Sequence, residues 1–285
     1  MKDSNNRIRT EYDGVLECSE VSRYAEEKYR HIANYTELFA TSMKRRWDCR
    51  VYLDLYAGAG LSRIKNTQIV LRGSPLLALT VPDPFDLYIF CEEDPKKLDA
   101  LKLRAERYAP EANIRFVQGN CNSKIDEICS LIPKGSKTNS VLSLCFLDPF
   151  NFGIQFETLK RLSVYFMDFL ILLATGMDAT RNWKVYIDEN HAQIDTVLGG
   201  NDWRERWKDE VVRVGDFSAF LAREFASTME SIGYLKSEPH QMKAVFNQKN
   251  TLVYYLALFS RNKLGQKLWQ QSIKYGTDQL DFFND

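Results

Sequence analysis

The stretch Val51-Tyr-Leu-Asp-Leu-Tyr-Ala-Gly-Ala-Gly60 decides how this chain is expected to fold. Its apolar residues Val51, Leu53 and Leu55 occupy every second position, a spacing that predicts a buried β-strand. Gly58 and Gly60 follow, and they allow a tight turn in which a ligand can approach the backbone. A strand that ends in a glycine turn is typical of a nucleotide-binding site, so we expect one here.

A single acidic residue, Asp54, lies within this strand and indicates which kind of nucleotide binds. From its position before the turn, the carboxylate can reach the amides of the turn or the ammonium group of a ligand. A carboxylate repels a pyrophosphate and attracts a cation, so a ligand with a positively charged amino-acid end is favoured. We predict that Asp54 and the backbone of Gly58 to Gly60 bind that end of the ligand, and that Tyr56 contacts the same ligand. The alternative is a glycine-rich corner with a solvated aspartate.

The length and composition indicate one large folded domain, with or without an insertion, because 45% of the 285 residues are hydrophobic. The 38 basic and 38 acidic residues cancel, so nucleic acid could be bound only through a local patch. The first residues lack the apolar core of a signal peptide, and no apolar stretch is long enough to span a bilayer. We expect a soluble, cytoplasmic protein without a membrane partner.

Metal binding is not expected from the sequence. The six cysteines include no C-x-x-C pair, and the three histidines lie far apart, whereas structural zinc sites use closely spaced pairs of these residues. Cys91 and Cys145 fall in apolar strand patterns and are interpreted as small buried hydrophobes in a reducing compartment.

The residues before the first strand predict an arm and a helix. Residues 1–18 show no hydrophobic period and predict a loosely held arm. Ser19 is expected to cap a helix whose apolar stripe begins at Tyr24 and which ends at the basic run Lys44-Arg-Arg46. Two roles are open for this helix. Either it packs in the core, or it packs over the ligand pocket or meets a phosphate backbone with its cationic end.

Twelve residues separate the glycine turn from the short run that leads into the next expected helix. This segment, Leu61 to Arg72, is rich in polar and basic residues and predicts a loop inserted over the pocket. Its basic residues are either simply solvated or in contact with an anionic substrate. The helix itself is expected to begin with Ser74 as N-cap and Pro75 at its first position.

An acidic residue ends the second predicted strand, Leu87 to Cys91. Glu92 follows Gly60 by 32 positions, and removal of the twelve inserted residues leaves 20. An acid about 20 residues after such a turn usually binds the ribose hydroxyls of a nucleotide. Glu92 is therefore predicted to bind the ribose of the cofactor through charge-assisted hydrogen bonds.

Polar residues also follow the third and fourth predicted strands. Asn120 is placed to bond an adenine amino group, or it occupies an ordinary turn. The strand Val141 to Leu147 is nearly all apolar and delivers Asp148 to the edge of the sheet where ligands bind. Asp148 is predicted to orient or deprotonate a nucleophile, and Phe150 and Phe152 to stack on a flat substrate or line the reaction channel. The alternative is an Asp-Pro turn with two core aromatics.

After a fifth predicted strand, the regular alternation of strands and helices stops. The segment Thr175 to Asp216 combines aromatic residues with arginines and predicts an inserted cap, whose tryptophans either recognise nucleic acid or pack the cap together. We expect this cap and the insertion Leu61 to Arg72 to face each other across the C-terminal edge of the sheet. The runs 242–246 and 252–259, separated by a polar turn, predict a closing hairpin.

The order of these elements resembles the fold of class I S-adenosylmethionine-dependent methyltransferases, and D-x-x-x-G-x-G resembles their first motif. More closely, several motifs together resemble the three-Cys-motif partner (TcmP) family: Asp54-Leu-Tyr-Ala-Gly-Ala-Gly60, Gly73-Ser-Pro75, Gly119-Asn-Cys-Asn122, Leu147-Asp-Pro-Phe150, and Leu198-Gly with Trp203. The resemblance implies an α/β fold, with a Rossmann-like class I methyltransferase sheet, a C-terminal antiparallel hairpin and an inserted helical cap. It also implies S-adenosylmethionine as cofactor and a separate partner protein that bears a three-cysteine, radical-SAM-like motif.

The expected organisation is an N-terminal arm and helix over residues 1–46, a methyltransferase-like domain over 47–272 with its cap at 175–216, and a tail over 273–285. Two functions are open. The first is a methyltransferase that acts on nucleic acid or a nucleotide-derived substrate, with Asp148 accepting the proton of the nucleophile. The second is a catalytically silent partner subunit that keeps only the pocket. Retention of Asp54 and Glu92 favours the enzyme.

Overall fold

The computed structural model describes residues 7–14, 16–149, 152–176, 183–211, 216–247 and 249–281, with side chains up to residue 274. Its strands are β1 (Arg9–Thr10), β2 (Ser19–Val21), β3 (Cys49–Asp54), β4 (Leu61–Ile64), β5 (Val70–Arg72), β6 (Leu87–Glu92), β7 (Ile114–Gln118), β8 (Val141–Leu147), β9 (Met167–Leu173), β10 (Lys243–Phe246) and β11 (Leu252–Phe259). The helices that pack around them are α1 (Ala25–Met43), α2 (Ser74–Leu79), α3 (Pro95–Tyr108), α4 (Ile125–Leu131), α5 (Phe156–Leu162), α6 (Gln193–Leu198), α7 (Trp203–Val211), α8 (Phe217–Ser231) and α9 (Lys263–Asp281).

The central sheet has seven strands in the order β10-β11-β9-β8-β3-β6-β7. Strands β3, β6, β7, β8 and β9 run parallel, while β11 is antiparallel to both β9 and β10. Every residue of β8 and β9 is buried, and alternate residues of these strands contribute to two separate hydrophobic cores. This is the Rossmann-like α/β sheet of class I methyltransferases with a closing antiparallel hairpin, so the predicted fold class is confirmed.

A second, four-stranded sheet has the order β1-β5-β4-β2. The prediction of a loop over Leu61 to Arg72 is wrong, because this segment forms the β4–β5 hairpin. Leu61, Ile64 and Val70 are buried, and the polar residues between the two strands form the turn, where Asn66 has φ 59°. The exposed polar residues of this segment, Lys65, Asn66 and Gln68, therefore belong to the turn of a hairpin.

The N-terminal residues also differ from the prediction. Helix α1 begins at Ala25, because the backbone of Ser19 is already in β2, where it pairs with Ser62. The arm is held from residue 7 onward: β1 pairs with β5, and Ile8 is buried. The next helix, α2, has Gly73 as its N-cap and Ser74 as its first residue, one position from the expected register.

The segment after β9 packs as a group of helices around aromatic residues. Helices α6, α7 and α8 share a hydrophobic cluster that includes Trp203, Trp207 and Phe217. The indole N–H of Trp203 donates to Asp195 Oδ1 at 2.7 Å, so this polar group is satisfied inside the cluster. Among the described residues, every helix falls short of the length or apolarity that a bilayer crossing demands.

Candidate functional site

A cavity of about 460 Å³ lies at the C-terminal edge of the central sheet, beside the glycine turn. Small-molecule sites in proteins usually measure roughly 300–1,000 Å³. The turn after β3, the ends of β6 and β8, helix α1 and β11 all border it. This is the position at which ligands bind in open α/β sheets.

The glycine turn presents its backbone to this cavity. Gly58 has φ 65° and Gly60 has φ 82°, in the left-handed region that side chains rarely adopt. A Cβ atom at Gly60 would lie 3.0 Å from Leu101 Cδ1, whereas one at Gly58 would meet nothing within 4 Å. Gly60 is therefore needed for packing, and Gly58 leaves open space for a ligand beside the backbone.

Glu92 is the last residue of β6, and its side chain binds the turn that follows β3. Its Oε2 accepts a hydrogen bond from the amide of Gly58 at 2.8 Å, and its Oε1 accepts one from the amide of Asp94 at 2.9 Å. Each carboxylate oxygen can accept more than one hydrogen bond, so Glu92 can still accept bonds from two ligand hydroxyls. The structure thus places the acid that was predicted from spacing next to the glycine turn.

Asp54 is completely buried under the same turn. Its Oδ1 accepts a hydrogen bond from the amide of Tyr56 at 3.2 Å. Burial raises the pKa of Asp54 to about 7, with a further rise from the charges of Asp148 and Glu92 and a partial offset by Ser74 and the Tyr56 amide. Tyr56, Gly58 and Gly60 border the cavity directly, whereas Asp54 acts on it through its charge and through the turn.

The raised pKa of Asp54 predicts a pH-dependent stability. Its pKa is 3.8 when unfolded and about 7 when folded, so the folded state loses stability as pH rises toward 7. We expect the stability of Asp54→Asn relative to the parent to increase by about 2 kcal/mol between about pH 5.5 and about pH 8, at ~1.36 kcal/mol per pKa unit. Urea unfolding at both pH values measures this. The exposed Asp126→Asn is the control, and a difference between Asp54→Asn and the parent that does not change with pH would refute the assignment.

The sequence did not reveal that Asp148 binds Lys28. Lys28 Nζ donates to Asp148 Oδ2 at 2.5 Å, the lysine side chain is only 11% exposed, and both residues border the cavity. Burial would lower the pKa of Lys28, but Asp148 and Tyr29 raise it above its usual value, so the lysine is charged. One signal for Lys28 was present in the sequence. This lysine follows Tyr24 by four positions, so a charged residue lies within the apolar stripe of α1.

Two other predicted site residues, Asn120 and Phe152, lie outside this cavity. The Oδ1 of Asn120 accepts the amide of Asn122 at 3.0 Å, the arrangement of an ordinary turn. The ring of Phe152 packs edge-on against Tyr186 at 6.0 Å between centroids. The described lining of the cavity includes neither residue, and Phe150 lies outside the described residues. Of the proposed substrate-side residues, only Asp148 is seen at this cavity.

The segments that share the cavity with the β4–β5 hairpin differ from the expected ones. Ser62 of the hairpin borders the cavity. Tyr24, which precedes α1, Lys28 of α1 and Tyr254 of β11 border it as well. Within the described ranges, no residue of the cap contributes to this lining. Among the described residues the hairpin therefore shares this cavity with α1 and β11, and a cleft between hairpin and cap stays a prediction.

In the described ranges, no three side chains of histidine, cysteine, aspartate or glutamate come together in a way that could hold a metal ion. The charged groups that border the cavity are two carboxylates, Glu92 and Asp148, and two lysines, Lys28 and Lys97. Lys28 is paired with Asp148, and Asp54 is buried beneath the glycine turn.

No family model and no curated protein matches this sequence. Several solved structures resemble this fold, among them the following three. Protein LPL1258 from Legionella pneumophila is 12% identical, with coverage of 85% of this chain and 90% of that protein and a TM-score of 0.46. TYW2 of M. jannaschii, in complex with AdoMet, is 10% identical, with 85% and 78% coverage and a TM-score of 0.42. The O-methyltransferase TomG from Streptomyces achromogenes, in complex with SAM, is 11% identical, with 79% coverage of each chain and a TM-score of 0.41. With TM-scores below 0.5, these similarities are too weak to assign a function.

Proposed function

We propose that this chain is an S-adenosylmethionine-dependent methyltransferase of the TcmP type. The observation that supports it is that Glu92 and Asp148 border one cavity at the glycine turn of a Rossmann-like sheet, with Asp54 buried beneath that turn. S-adenosylmethionine carries a sulfonium and an ammonium against one carboxylate, so its net positive charge would offset the mutual repulsion of these acids.

Each residue has a role in this proposal. The amides of the turn at Gly58 and Gly60 and the charge of Asp54 hold the amino-acid end of the cofactor, and Glu92 accepts hydrogen bonds from the ribose. The cofactor supplies a methyl group attached to a positively charged sulfur. Asp148 orients the acceptor or takes up its proton. Alignment of the acceptor with the methyl carbon gives most of the rate, as in other positioned displacements.

The walls of the cavity favour a flat acceptor. Tyr24, Tyr29 and Tyr254 border the cavity on the side of α1 and β11. Aromatic side chains stack on planar rings, so a nucleic acid or nucleotide-derived substrate is proposed. A screen for methyl transfer to RNA, to DNA and to free nucleosides tests this class, and transfer to none of them would exclude it.

The first test of the proposal is cofactor binding. Isothermal titration calorimetry should detect S-adenosylmethionine binding to the parent, and Glu92→Ala should weaken it by about 1.5–3 kcal/mol, the value of one charged hydrogen bond. Glu93→Ala is the matched control, because the neighbouring side chain is exposed. An unchanged dissociation constant for Glu92→Ala would remove the ribose assignment.

One observation favours a second function, a catalytically silent subunit of a three-Cys-motif protein. Both oxygens of Glu92 and one oxygen of Asp148 already accept hydrogen bonds within the chain, so these acids can serve the fold alone. A silent subunit would bind the three-Cys-motif partner without any methyl transfer. Single-turnover assays with labelled cofactor, with and without that partner, separate the two functions.

A further inference from the structure

A second cavity lies at the opposite edge of the central sheet. It measures about 520 Å³ and is bordered by residues at the starts of β8 and β9, where Ser143 and Phe166 lie, and by Trp47, which precedes β3. Because the glycine turn and its cavity lie at the C-terminal edge of these parallel strands, this site is independent of the proposed cofactor site.

The rim of this cavity exposes apolar side chains to water. Val164 is 77% exposed and Phe166 is 66% exposed, the two highest values among the large hydrophobic residues that the structure describes. The ring of Trp47 lies against that of Phe166, with 5.7 Å between centroids. Clustered exposed apolar side chains of this kind mark interaction surfaces.

The cavity also contains a polar group with no partner. Ser143 is 0% exposed and borders the cavity, and its Oγ has no hydrogen-bond partner within the described structure. A buried hydroxyl without a hydrogen bond is unfavourable. This group therefore points to a ligand that carries a hydrogen-bonding atom into the cavity.

The charge at this site is positive. Lys134 and Lys137 border the cavity, and neither pairs with a carboxylate among the described residues. The nearby carboxylate of Asp48 instead accepts hydrogen bonds from the amide and hydroxyl of Ser140. The two lysines are thus available to an anionic ligand.

We propose that this cavity docks a segment of a partner protein in which a tyrosine or tryptophan is flanked by acidic residues. The aromatic ring packs against the Trp47–Phe166 pair, its polar tip bonds Ser143 Oγ, and the acids pair with Lys134 and Lys137. A partner protein is favoured over a small anion, because a small molecule inside the cavity would leave Val164 and Phe166 in water. Aromatic anchors in pockets with a polar rim are the usual centres of such interfaces.

Selection from a random peptide library displayed on phage tests this proposal. The library is selected on the full chain and depleted on Phe166→Asp, and the enriched peptides are measured by fluorescence anisotropy. We expect a tyrosine or tryptophan with neighbouring acids, and an affinity that falls by about tenfold or more in Phe166→Asp and severalfold in Lys134→Glu, as for central and peripheral contacts. Leu103→Asp, at another exposed apolar position, 53% exposed on α3, should bind like the parent.

Ser143→Ala distinguishes a binding role from a structural one. Removal of an unpaired buried hydroxyl should raise the melting temperature by about 2–4 °C, while it weakens the selected peptides. The proposal is overturned if no peptide is enriched, if enriched peptides lack the aromatic residue or the acids, or if Ser143→Ala and Phe166→Asp bind them like the parent. A concentration-dependent dimer that Phe166→Asp abolishes would also overturn it, since the face would then bind a second copy of this chain.

Discussion

Arg104→Met is expected to lower the free energy of unfolding by about 3–5 kcal/mol, the usual effect of removing one partner of a buried ion pair. Arg104 is 1% exposed, and its guanidinium binds both carboxylate oxygens of Asp13, at 2.7 and 3.0 Å. It also donates to the carbonyls of Glu17 and Ala59, each at 2.6 Å. The variant would leave the carboxylate and both carbonyls without this donor. Urea unfolding measures the loss.

The same variant should weaken cofactor binding, because Ala59 lies between the two glycines of the turn. Lys102→Met is the matched control: the residue lies on the same helix, is 46% exposed and pairs only with Asp99 on the surface, so its loss should change stability by less than about 1 kcal/mol. Equal stability of the two variants would show that Arg104 does not hold the N-terminal residues to the glycine turn.

Asp148→Asn is expected to reduce turnover by ~10²-fold or more, the low end for loss of a positioned base, once an acceptor is known. Asparagine keeps the shape of the side chain and removes its charge. The affinity for S-adenosylmethionine should stay within about threefold of the parent, under ~1 kcal/mol, because a residue used in the transition state acts on kcat and kcat/KM together. Paired calorimetry and single-turnover kinetics measure both quantities.

A control for Asp148→Asn is Asp168→Asn. Asp168 is a buried aspartate, and burial raises its pKa to about 7, whereas the side chain of Asp148 is 27% exposed. Asp168 lies near the start of β9 and is absent from the cavity lining. It should leave turnover and affinity unchanged. If Asp148→Asn loses affinity and keeps turnover at saturation, then Asp148 serves cofactor binding or structure through its ion pair with Lys28, and it is not the base.

The parts of the molecule that could be predicted are those with a local signal. Three such signals predicted the sheet and one side of the cavity: the alternation in Val51 to Leu55, the glycine turn, and the spacing from this turn to Glu92. Arg104 and Lys28 gave no comparable signal, because their partners Asp13 and Asp148 lie 91 and 120 residues away along the chain. The pairing of a buried charge depends on which segments the fold brings together, and no local pattern encodes it.

The β4–β5 hairpin was also missed from the sequence. Its strands pair with β1 and β2, which lie about 40 to 60 residues earlier in the chain, so no local pattern shows this pairing. Its apolar positions do not alternate regularly, and the basic residues Arg63 and Arg72 made the segment look like a solvated loop. Both arginines lie on tyrosine rings, Arg63 on Tyr12 and Arg72 on Tyr108. Their basic character therefore serves packing against the arm and α3.

The small four-stranded sheet also limits self-association. Its outer strands, β1 and β2, have only two and three residues, too few to offer a neighbouring chain a continuous row of free amide and carbonyl groups. They cover the longer hairpin on both sides, since β1 pairs with β5 and β2 with β4. A shortened chain that begins at Ala25 would uncover both edges of that hairpin. Strands β1 and β2 thus protect the edges of the hairpin from edge-to-edge aggregation.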